Sequence, residues 1–66
     1  MDVASLADLL KEAEEHHARY EASAPSHHWS GFYAAYIVAR EEGRGPEEAD
    51  AEARRYMDGV LGAQSG

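Results

Sequence analysis

Residues 26–46 read SHHWSGFYAAYIVAREEGRGP, and the fold turns on how this stretch is patterned. Projected at about 100° per residue, Trp29, Phe32, Tyr33, Tyr36 and Ile37 share one broad aromatic face of a helix. The opposite side is not polar either: it carries Gly31, Ala34, Ala35 and Val38. A helix that is apolar nearly all round is buried on more than one side. Gly31 and Ala35 are four residues apart, so a second helix can approach that flank closely. Two arrangements satisfy the pattern. Either this helix is central and touches a helix on each side, or its second face docks on another subunit or protein.

The punctuation around the stretch is clear. Ser26 is the expected N-cap, and Gly43-Arg44-Gly45 supplies the glycine on which helices commonly end. Upstream, Met1 to about Ala22 has neither Gly nor Pro. Val3, Leu6, Leu10, Ala13, His17 and Tyr20 recur there at spacings of three and four, which makes one helical stripe widened by Leu9. Asp2 is a plausible N-cap, with Ser5 and Asp8 as an alternative capping box. Pro25 closes that helix by about Ser23. Downstream, Pro46 suits a first helical turn, and Glu47 and Glu48 face the positive end of the helix dipole. Ala49, Ala53, Tyr56, Met57, Val60 and Leu61 line one side of this third helix, and Gly62 is expected to stop it. There is no strand-like alternation and no repeat. The expected fold is all-α: a small antiparallel three-helix bundle with helices at about 2–22, 27–42 and 46–61 and a flexible tail over 62–66.

Composition narrows the function. Sixty-six residues make one small domain of marginal stability. Without cysteine there is no disulfide to reinforce it. No apolar run is long enough to span a bilayer, and the acidic start MDVASLADLL lacks the basic region of a signal peptide, so a cytoplasmic location is expected. Thirteen acidic against six basic residues give −7, which argues against nucleic acid or an anionic membrane as the main partner.

Four histidines stand in two pairs, His16-His17 and His27-His28. An antiparallel hairpin brings the end of helix one beside the start of helix two, so the pairs can meet. Imidazole is the commonest metal ligand, and Glu12 or Glu14 could add carboxylate oxygen, which makes a zinc or iron site one reading. Neighbouring residues on a helix diverge by about 100°, however, and helix three has no histidine to complete a di-iron set. The simpler expectation is a partly buried His17 with a polar partner such as Tyr or Glu, a surface pair of His16 with Glu12, and solvated His27 and His28. If several histidines do cluster, stability should fall between about pH 7 and pH 5.

Catalysis is not expected. There is one lysine, Lys11, and no cysteine, no G-x-S-x-G and no phosphate-binding glycine loop. Ser26 and Ser30 lie near histidines, but Ser26 is assigned to capping. The acids from Glu41 to Glu52 read as a solvated loop and a helix N-terminus.

Glu14-Glu15-His16-His17, the stretch from Pro25 to Trp29, Tyr33-Ala34-Ala35-Tyr36 and Gly43 to Ala49 together resemble a short helical segment of actinobacterial proteins. Some of those proteins are grouped with glyoxalase and bleomycin-resistance-like proteins. The similarity covers Glu14 to Ala53. His28 stands where that segment often has an acid, and Gly45 where it often has Thr, which weakens the cap before Pro46. The resemblance implies a bacterial helical segment and assigns no catalytic residue; the glyoxalase metal site belongs to a different, βαβββ domain. A resistance-type role would be small-molecule sequestration in an aromatic groove. The leading expectation is a non-catalytic interaction module without cofactor. It would self-associate, for instance as a homodimer, or dock on a partner protein. Trp29, Phe32, Tyr33 and Tyr36 would carry the contact, with Gly31, Ala35 and Val38 on the second face.

Overall fold

A computed structural model describes residues 1–65 of the chain. Three helices follow one another: α1 (Val3–Glu21), α2 (Trp29–Glu41) and α3 (Pro46–Ser65). The all-α three-helix bundle is the observed architecture. α2 is the central helix: it packs against both others, most extensively against α3, while α1 and α3 barely meet.

The two junctions form for local reasons. α2 ends in a Schellman motif. The Arg44 N–H donates to the Ala39 carbonyl at 3.1 Å and the Gly43 N–H to the Arg40 carbonyl at 3.0 Å, with Gly43 at φ +93°. A side chain is disfavoured at that dihedral, which is why glycine occupies it. Pro46 opens α3 where its missing N–H costs nothing, and the Ala49 N–H donates to the Gly45 carbonyl at 2.9 Å.

Some boundaries differ from the sequence reading. α2 begins at Trp29, two residues late, because His28 and not Ser26 is its N-cap. His28 Nδ1 accepts the Ser30 N–H at 3.1 Å, the service usually given by a serine or aspartate oxygen. α3 does not stop at Gly62 but continues to Ser65. The flexible tail expected over 62–66 is therefore helix as far as 65, and residue 66 lies outside the described residues.

Phe32 and Tyr36 are fully buried at the centre. Ala13, Ala39, Ala49 and Ala53 surround them, so three helices can close on two large rings. Each ring contributes roughly 2–3 kcal/mol by its burial. Tyr20 stacks on Phe32 with centroids 5.2 Å apart, and Met57 closes the α3 side. Gly31 explains the close fit of α2 and α3: a Cβ there would lie 3.1 Å from Met57 Sδ and 3.2 Å from the Tyr56 ring.

The stripe of α1 is buried over only half its length. Ala13, His17 and Tyr20 are buried, whereas Val3, Leu6 and Leu10 are exposed on the same line. The cause is a length mismatch. The 19 residues of α1 run for about 28 Å, against about 20 Å for the 13 residues of α2. The N-terminal turns of α1 therefore project beyond the helix that would cover them.

Candidate functional site

The interaction residues expected on α2 divide into three groups, apart from Tyr33, which is partly buried against the core. Phe32 and Tyr36 are internal and closed to any partner. Gly31 and Ala35 face α3, with Ala35 partly buried against the core. Trp29 and Val38 remain on the surface, 52% and 56% exposed. Trp29 is thus no core anchor. It sits at the start of α2 with His28 stacked on it at 5.3 Å and Tyr33 edge-on at 5.0 Å.

Between α2 and α3 runs an open groove of about 370 Å³. Ala34, Ala35, Val38 and Ala39 line one wall and Tyr56, 51% exposed, stands on the other. Glu42 and Glu52 close its rim. The acids outnumber their partners here. Arg44 lies 3.6 Å from Glu42 and 3.9 Å from both Glu48 and Glu52, and Arg55 bonds Glu52 at 2.6 Å. Tyr56 is the member that the sequence reading placed on the buried side of α3. Its exposure follows from its neighbour Met57, which takes the inward position.

Each candidate metal ligand has a place in the fold. His16 pairs with Asp50 of α3, Nδ1 to Oδ1 at 2.8 Å, and not with Glu12. A carboxylate only accepts and a guanidinium only donates, so one Nδ1 cannot serve both Asp50 and Arg19, whose Nη2 lies 3.2 Å away. The shorter contact to Asp50 fixes the hydrogen on Nδ1. Burial would raise the Asp50 carboxyl, but its bonds to Arg54 (2.7 Å) and His16 prevail and hold it below the ordinary aspartate value. Glu12 turns instead to α2, where its Oε1 accepts from the Tyr36 hydroxyl at 2.9 Å and from Arg40 Nε at 3.0 Å. The Arg40 bond is the main cause of a lowered Glu12 carboxyl. Burial first, and then Glu12, push the Tyr36 phenol up to about 12.

His17 is buried, as its place in the stripe requires, and meets His27, Nε2 to Nε2 at 3.0 Å. The two ring centroids are 5.1 Å apart. That is little less than the nitrogen gap plus two ring radii, so the nitrogens face each other nearly head-on. Head-on nitrogens share a proton; ligands of one metal ion must instead converge on a point beside them. Glu14 is exposed on α1 and acts on Tyr33, whose phenol burial, Glu14 and Glu21 all raise. Among the described residues no three His, Asp or Glu side chains are grouped to hold a metal ion. His28 is occupied as the α2 cap, its Nδ1 also 2.9 Å from the Ser30 hydroxyl. No described helix is long and apolar enough to cross a membrane. Compared with protein-family models, curated proteins and solved structures, the chain finds no match in any of the three.

Proposed function

We propose that this chain is a non-catalytic binding module whose α2–α3 groove receives a basic amphipathic helix from a partner protein. The supporting observation is the groove itself, a small-residue floor of Ala34, Ala35 and Val38 flanked by Tyr56 and edged by Glu42 and Glu52, which with Glu48 share the two arginines Arg44 and Arg55. Small side chains let a helix lie close, an exposed tyrosine supplies an anchor, and acids at the rim select cationic flanks. A second copy of the chain is a poorer occupant, because each copy brings −7 and acids of its own. The exposed stripe of α1, Val3, Leu6 and Leu10, lies on the turns that project beyond α2. The resemblance to an actinobacterial helical segment fits an accessory binding role and adds no chemistry.

The test is titration of the labelled protein with a designed Leu/Lys amphipathic peptide, followed by amide shifts. Shifts should concentrate at Ala34, Val38 and Tyr56, and Val38→Glu should weaken binding at least about tenfold, worth roughly 1.4 kcal/mol. Val38 is exposed, so this variant keeps the fold. Saturation that is indifferent to Val38→Glu, or shifts confined to α1, would overturn the reading. A concentration-dependent dimer broken by Val38→Glu would replace the partner helix with a second copy.

A further inference from the structure

We infer that His17 and His27 form a proton-operated latch that holds the corner between α1 and α2 and loosens in mild acid. The hydrogen-bond pattern assigns every proton in it. His27 Nδ1 lies 2.7 Å from the Pro25 carbonyl, which can only accept, so Nδ1 carries hydrogen. Neutral His27 therefore has a bare Nε2. It accepts the Nε2–H of His17 at 3.0 Å. That leaves His17 Nδ1 bare and 3.5 Å from Glu21.

A first added proton fits this arrangement. It enters at His17 Nδ1, pairs with Glu21, and leaves the bond to His27 intact. A second proton has only one place to go, His27 Nε2, where it would oppose the Nε2–H of His17 across 3.0 Å. Two donors cannot share that gap, and two imidazolium charges would stand in contact. The latch is closed with no proton or one, and open with two.

The surroundings make the opening consequential. His17 lies edge-on to Phe32 at 5.5 Å and against Tyr33 at 5.3 Å, and His27 lies against Tyr20 at 5.1 Å. Parting the two histidines therefore disturbs the packing of the Tyr20–Phe32 stack. The charged groups that face the cluster are few. From α1 come Glu21, and Glu14 by way of Tyr33; from α3 come Arg54, 5.5 Å over the Tyr20 ring, and Asp58, which acts on the same phenol. α2 contributes only the uncharged Tyr33 and Phe32. Glu21 stands beside the site of the first proton, and among the described residues no acid is paired with His27 at the site of the second.

The sign of the effect follows. Histidine changes charge between about pH 5 and pH 8. Below neutrality an unfolded chain takes both protons while the closed latch takes one. Stability therefore falls as pH falls.

Thermal melts of the parent and of His27→Gln, run from pH 7.5 to pH 5, test this. Glutamine can accept from His17 but cannot charge. The parent should lose several degrees relative to His27→Gln across the range, a difference in which His16 and His28 cancel. Parallel curves would overturn the latch. A second measurement needs no variant: nitrogen NMR of the parent's imidazoles. At pH 7.5 it should show hydrogen on Nδ1 of His27 and on Nε2 of His17. On acidification the second protonation should coincide with changed Tyr20 and Phe32 signals. The opposite tautomers, or two charged rings with those signals unchanged, would also overturn it.

Discussion

Asp50 joins two helices through one carboxylate, with Oδ1 on His16 of α1 and Oδ2 on Arg54 of α3. It matters because α1 and α3 have little other contact. Replacing it by Asn should cost about 2 kcal/mol at pH 6, the scale of charge-assisted hydrogen bonds in a partly buried site. The pH dependence has a definite sign. The folded Asp50 carboxyl lies below its ordinary value, so its contribution is complete above roughly pH 4 and is lost as pH falls through the folded value. Urea melts of parent and Asp50→Asn should therefore differ at pH 6 and converge toward pH 3. A gap that stays constant to pH 3 would mean the charge is irrelevant. Sequence alone could not find this residue. His16 has a carboxylate four residues away in Glu12, and local spacing favours that pair. The true partner is 34 residues distant, and Glu12 is drawn off by Tyr36 and Arg40 on the facing helix. Long-range pairing decides both outcomes, and one chain read in isolation carries no signal for it. The same limit applies at His28, which takes the cap from Ser26 because its ring nitrogen reaches the Ser30 amide.

Among elements, the junction marked by both Gly and Pro was legible, whereas Gly62 did not stop α3. Gly43 and Pro46 fix the α2–α3 junction by backbone chemistry that needs no neighbours. The central place of α2 was one of the two arrangements its pattern allowed, since a helix apolar all round has to be covered twice, by its own chain or by a partner. Burial along α1 was not, because periodicity gives the buried face but not the length of the helix that covers it. Val3, Leu6 and Leu10 lie on the right stripe beyond the reach of α2. Of the expected site, Val38 and Trp29 are surface residues, while Phe32 and Tyr36 were spent on the core. Aromatic periodicity cannot separate those two uses. Two glycines test the account of the helices. Gly43→Ala must place a side chain at φ +93° and should cost about 1 kcal/mol. Gly59 lies within α3 with nothing within 4 Å of an added Cβ, so Gly59→Ala should raise stability by up to about 1 kcal/mol. Thermal melts of the pair should move in opposite directions. A stable Gly43→Ala would contradict the Schellman termination of α2.

For the whole molecule, the deciding quantity is charge against size. A chain of 66 residues has a net stability of roughly 3–10 kcal/mol, so a modest long-range term is visible in a melt. The net charge is −7, spread over a body 38 Å long and 20 by 18 Å across. Most of these charges lie farther apart than the Debye length of about 8 Å at physiological salt, so their repulsion is felt chiefly at low ionic strength. Salt also weakens the attractive pairs, but those around Arg44 and Arg55 are exposed and worth little singly. Repulsion should win. At pH 7 the melting temperature should rise as sodium chloride goes from about 10 mM to 500 mM, by on the order of 0.5–1 kcal/mol or about 2–8 °C. Near pH 4.8, where the net charge vanishes, that rise should disappear. A fall with salt at pH 7 would mean that the ion pairs of α2 and α3 outweigh the repulsion. It would also weaken the case for a basic partner, since the same acids would then be internally satisfied and the groove would have no surplus charge to offer.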